Sequence, residues 1–106
     1  MTKKDKIKNL VVFLSLALAH SIGSIVNSGD MYADKYKKES QNYLIQAEKL
    51  ALDYNWNTQD KAEIKALLKK RLHDELSKRT FLNERKFQLI DKEIDKTLVS
   101  LFSGQQ

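Results

Sequence analysis

NLVVFLSLALAHSIGSIVNSG, residues Asn9 to Gly29, carries no charged side chain, and its reading decides the fold. Before it stand Lys3, Lys4, Lys6 and Lys8 against a single acid, Asp5, and after it the chain is densely charged to its end. As a helix, an uncharged run of about 20 residues is long enough to cross a bilayer. Its first half, Leu10 to Ala19, is apolar on all sides apart from Ser15. Its second half interleaves Ser21, Gly23, Ser24 and Asn27 with Ile22, Ile25 and Val26.

Three readings of the run compete. A basic start, a short apolar core and Ala17-Leu18-Ala19 are the parts of a secretory signal in the right order, which would release residues 20–106. Flanking lysines and uncharged length fit a membrane span, and a membrane location is the expectation. Ala17/Ser21 and Ala19/Gly23 are then small-x-x-x-small pairs that let helices approach closely in lipid, and they are the candidate packing or oligomerisation residues. The third reading makes the run the core helix of a cytoplasmic bundle, covered by the helices that follow.

Outward from the run, the pattern is helical throughout. Proline and cysteine are absent and glycine occurs three times among 106 residues. β-rich folds need more turn residues than that. The absence of cysteine excludes disulfides, thiol catalysis and Cys-ligated zinc. The expected fold class is all-α, three to four helices, with an apolar N-terminal helix and then amphipathic helices joined by short turns. Residues 1–8 form a basic segment, 9–29 the apolar helix and 30–106 the charged helical region.

Ser28-Gly29-Asp30 reads as a break, with Ser28 or Asp30 capping a second helix to about Tyr54. The apolar face of that helix is Tyr32, Tyr36, Tyr43, Ala47, Leu50 and Tyr54. Trp56 anchors the next turn. Asn57 caps a third helix to about Lys78, with Asp60 in its first turn and Ile64, Leu67, Leu68, Leu72 and Leu76 on one face. Asn83 caps a fourth helix, with Leu82 and Phe87 as a hydrophobic staple. Its stripe is Phe87, Ile90, Ile94, Leu98 and Leu101, ending near Phe102.

No constellation announces an enzyme, and no cofactor is expected. The chain has no Gly-rich phosphate loop, no nucleophile elbow and no metal-spaced histidine pair. His73 reads as a solvated side chain and His20 as a helix-packing or interfacial one. Asp91 and Asp95 share a helix face, and pairing with Lys92 and Lys96 outweighs a metal site. The net charge of +5 favours anionic partners. Lys69, Lys70 and Arg71 form the densest basic patch, suited to an anionic lipid surface or an acidic protein. They spread around the helix with Leu68 and Leu72 beside them, which argues against nucleic acid.

Residues 44–101 carry a resemblance. Ala47-Glu48-Lys49-Leu50-Ala51 is followed by Trp56-Asn57-Thr58-Gln59-Asp60-Lys61 and by Leu67/Leu68/Leu72. Phe81-Leu82-Asn83-Glu84 and Leu89-Ile90-Asp91-Lys92-Glu93-Ile94-Asp95 complete it. With the uncharged helix in front, this order resembles the small phage holins of the LL-H type, although Lys78–Thr80 lacks the glycine expected in that family's loop. The resemblance implies a membrane protein that homo-oligomerises to permeabilise the host membrane at lysis. Ala17, Ala19, Ser21 and Gly23 would then be its packing face, with the charged helices outside the bilayer.

Overall fold

The computed structural model describes residues 2–103. Its described residues are all-helical, without strands. Helices α1 (Lys3–Val26), α2 (Ala33–Leu52) and α3 (Thr58–Lys78) lead to a 3₁₀ segment (Glu84–Leu89) and helix α4 (Ile90–Phe102). The molecule measures 39 × 23 × 22 Å. At 1.5 Å per residue, α1 alone is about 36 Å long and runs nearly its full length.

α1 lies in the middle. It contacts α2, α3 and α4, whereas α2 and α3 do not meet, so they flank it on different sides. Ile7, Leu10, Leu14 and Ile22 are buried at helical spacing, and every residue from Leu10 to Ser24 is buried or half-buried. Such side chains each contribute about 1.5–3 kcal/mol when taken from water. By length and composition α1 could cross a membrane, yet half of its most apolar window is buried inside the protein. Ser15, wholly buried, donates its hydroxyl to the Val12 carbonyl at 2.8 Å, so the one polar group of the apolar half is satisfied within its own helix.

α1 begins at Lys3, capped by Thr2, whose Oγ1 accepts from the Asp5 amide at 3.2 Å. The basic segment is therefore the first turns of the helix rather than a tail before it. Two of its lysines are tied down. Lys3 bonds Asp60 at 2.8 Å, and the ammonium groups of Lys3 and Lys6 lie 5.5 and 4.9 Å from the centre of the Tyr54 ring. Asp60 also closes a capping box with Asn57: the Asn57 side chain accepts from the Asp60 amide and the Asp60 carboxylate accepts from the Asn57 amide. One carboxylate thus joins the starts of α1 and α3. The Lys3 hydrogen bond holds the Asp60 carboxyl below its ordinary value and raises the Lys3 ammonium in turn. Trp56 anchors the turn, 6% exposed, its indole N–H donating to the Ala51 carbonyl at 2.9 Å.

α2 starts later than the sequence suggests. The Asp30 carboxylate accepts from the Tyr32 amide at 2.8 Å, a tight turn that delays the helix to Ala33 and leaves Met31 and Tyr32 exposed. Tyr32 therefore drops out of the expected apolar face. The fourth helix also begins differently. Asn83 caps at the expected place, accepting from the Arg85 amide, but the first six residues are 3₁₀ and α4 starts only at Ile90.

The loop between α3 and the 3₁₀ segment lacks glycine. Lys86 is turned inward, 2% exposed, and its ammonium donates to the Arg79 carbonyl at 2.7 Å. Arg79 itself donates to both the carbonyl and the carboxylate of Glu75, lowering the Glu75 carboxyl. Two cations thus cover the C-terminal carbonyls of α3, where the helix dipole favours positive charge. That replaces the glycine cap such an ending usually has.

α3 runs antiparallel to α4 and to the 3₁₀ segment before it, and meets them at every fourth residue of its own. Lys61 lies over the Phe102 ring (5.2 Å), Lys65 pairs with Asp95 (2.9 Å), Lys69 pairs with Asp91 (3.1 Å), and His73 stacks on Phe87 (5.0 Å). This corrects the expected pairing of Asp91 and Asp95 with their own-helix neighbours Lys92 and Lys96. The i,i+4 carboxylates of α4 face the i,i+4 lysines of the adjacent helix instead. His73, expected to be solvated, is exposed but has a ring partner.

Candidate functional site

An open groove of about 520 Å³ lies between the first half of α1 and α3. Helical spacing builds both walls. Lys4, Ile7, Lys8 and Val11 descend one face of α1, and Glu63, Leu67, Lys70, Arg71 and Asp74 descend one face of α3. Ile7 and Val11 are buried in its floor, while Leu67, 41% exposed, brings apolar surface to solvent.

The basic patch of α3 is split by this geometry. Lys69 is used against Asp91, whereas Lys70 and Arg71 turn into the groove and join Lys4 and Lys8 from the start of the chain. Asp5, Glu63 and Asp74 line the same groove. Among the described residues, none of these seven charged groups forms an ion pair within 4.0 Å. Four cations and three carboxylates over an apolar floor form a surface of mixed sign. The convergence of residues 4 and 8 with 70 and 71 is tertiary, and no local sequence signal announced it.

The small residues of α1 lie elsewhere, facing α2 and the α3–α4 loop. Ala17, Ala19 and Gly23 are buried and Ser21 is half-buried. Ser40 of α2 donates its hydroxyl to the Ala17 carbonyl at 2.7 Å, a bond made possible by the absence of a large side chain there. A Cβ on Gly23 would meet Leu82 at 3.6 Å and Tyr36 at 3.7 Å, which is ordinary contact. Within this chain Ala17, Ala19 and Gly23 pack against its own helices, while Ser21 lines open clefts beside α2.

His20 joins α1 to α2 beside them. Its Nδ1 stands 2.7 Å from the Leu16 carbonyl and its Nε2 2.9 Å from the Glu39 carboxylate. Its two ring nitrogens thus reach a carbonyl of α1 on one side and a carboxylate of α2 on the other. Tyr43 and Tyr36 enclose it at 5.4 and 6.3 Å between ring centres. Among the described residues no cluster of three His, Cys, Asp or Glu side chains could hold a metal.

In comparisons with family models, curated proteins and solved structures, nothing matches the chain. The likeness to holins therefore rests on the sequence motifs alone.

Proposed function

We propose that this chain is a helical protein-interaction module, built on α1 as its core, that binds an amphipathic segment of a partner protein in the α1–α3 groove. The carrying observation is the mixed-sign, apolar-floored groove itself. A helix laid in a groove is read through apolar anchors three and four residues apart, with charges at the flanks. Ile7, Val11 and Leu67 offer the apolar strip, and both signs of charge stand ready for complementary groups. The three carboxylates disfavour a polyanion such as nucleic acid or an anionic lipid surface, which gains from uniformly positive walls. The amphipathic character of α2, α3 and α4 fits the same reading, since their apolar sides cover α1 and their charged sides face water.

A photo-crosslinking residue at Leu67, compared with one at exposed Gln46, tests this in the native cell. The expected result is crosslinks from 67 to one protein, mapped to a segment with apolar residues at helical spacing. Crosslinks from 67 that go to lipid or nucleic acid, or that match those from 46, would overturn it.

A second reading is favoured by the length and apolarity of α1. Here the protein is a holin-like, membrane-associated homo-oligomer. α1 leaves the bundle to span the bilayer, and the Ala17/Ser21 and Ala19/Gly23 pairs, freed from α2, bring copies of α1 together. Dye release from vesicles by the wild-type chain, lost on Ala17→Leu and Ala19→Leu, is the expected sign. Vesicles that stay sealed at high protein loading would dismiss it.

A further inference from the structure

Farther along α1, a separate cleft of about 180 Å³ opens between α1, α2 and α4. Leu18 and Leu44 give it apolar walls, Ser21 and Thr97 bring hydroxyls, and Glu93 and Lys96 bring opposite charges. Glu93 is the unusual member. It is 6% exposed, and among the described residues no donor stands within hydrogen-bond or ion-pair distance of its carboxylate. Its neighbours Asp91 and Asp95 are answered by lysines of α3, but Glu93 faces another way and is not. A buried carboxylate without a donor is costly, and native structures rarely leave one so.

The chemistry of the walls narrows what answers it. Lys96 lies three residues on, one turn along the same face, and lines the same cleft, yet the two groups do not pair within 4.0 Å. A cation alone would meet Glu93 but would be repelled by Lys96. An anion alone would meet Lys96 but would face a buried carboxylate. A molecule bearing both signs satisfies both. The volume lies below the roughly 300–1,000 Å³ of sites for drug-sized ligands, so the ligand is small. Its body faces leucine side chains.

We propose that this cleft binds a free α-amino acid with a short aliphatic side chain. Glu93 takes the ammonium, Lys96 the carboxylate, the Ser21 and Thr97 hydroxyls assist, and Leu18 and Leu44 hold the side chain. The site uses different residues of α1 from the α1–α3 groove, so it stands or falls independently of partner binding. The bland alternative is about six waters, at roughly 30 Å³ each, solvating the carboxylate.

Amide-resolved NMR titration of the full-length protein with L-valine decides between them. Saturable shifts are expected around residues 17–21 and 93–97. Isobutylamine, which lacks the carboxylate, and isovalerate, which lacks the ammonium, should bind about tenfold or more weakly. Glu93→Gln should abolish the shifts. Lys96→Met, at an exposed position that leaves the fold intact, should weaken valine about tenfold, and it decides the matter if the Glu93 variant does not fold. The absence of saturable shifts with valine, leucine and alanine up to about 20 mM means a water-filled cleft and overturns the proposal. Equal binding of valine and isobutylamine, or full binding by Lys96→Met, overturns it as well.

Discussion

The two sides of α1 are packed by different means. On the α3 side the contact is made by large side chains: Ile64, Leu68, Leu72 and Leu76 are each fully buried, four residues apart. On the α2 side it is made by small ones, with Ala47 and Ala51 of α2 fully buried and Ala17, Ala19 and Gly23 of α1 nearby in the core. Large residues contribute stability through the area they remove from water. Small residues contribute through close approach, as the Ser40–Ala17 hydrogen bond shows. The α3 side should therefore be sensitive to truncation and the α2 side to enlargement.

Leu72→Ala should show the largest effect, a loss of about 2–5 kcal/mol in denaturant unfolding. Leu67→Ala, in the same helix but partly exposed, should cost far less. Equal losses at the two positions would mean that α3 does not present the 64–68–72–76 face to α1. Ala47→Leu should cost about 1–3 kcal/mol by overpacking, since Ala47 is wholly buried. A neutral result there would mean that α2 sits loosely on α1.

Gly23→Ala sharpens the comparison because its expected sign is opposite. The added methyl meets only ordinary contacts, and alanine is the better helix former, so a gain of about 0.5–1 kcal/mol is expected in thermal or urea unfolding. A loss would mean that this stretch of α1 needs an approach closer than the structure shows.

Acid should act through the bundle ends, where Asp60 and Glu75 stand. Asp60 and Glu75 are held below their ordinary carboxyl values, first by hydrogen bonds from Lys3 and Arg79. Their stabilisation is complete above the unfolded values of 3.8 and 4.5 and is lost as pH falls through the lower folded values. Urea midpoints should therefore fall below about pH 4.5, and Asp60→Asn should flatten part of that fall. An unchanged acid slope in this variant would remove the Lys3–Asp60 tie from the account.

The helical class, the bounds of α3 and the end of α4 were legible because periodicity and capping are local signals. Asn57 with Asp60, and the stop at Lys78, needed no tertiary information. What could not be read depended on how the helices are turned against one another. Asp91 and Asp95 choose Lys69 and Lys65 because α3 is antiparallel and alongside, while in sequence Lys92 and Lys96 are nearer. The groove needs residues 4 and 8 brought to 70 and 71. Burial of Glu93 and Lys86 contradicts their residue type, so composition points the wrong way for both. The missing glycine after α3 is visible in the sequence, but its replacement by Lys86 reaching back seven residues has no sequence signature.

Whether α1 is a core helix inside its own chain is tested most directly by fractionating the full-length, C-terminally tagged protein, with a carbonate wash of the membrane pellet. Recovery in the soluble fraction, without detergent, is expected, with the α1 amides of Leu10 to Ile22 the slowest to exchange. Retention in the washed pellet would contradict it and make the same residues a membrane span.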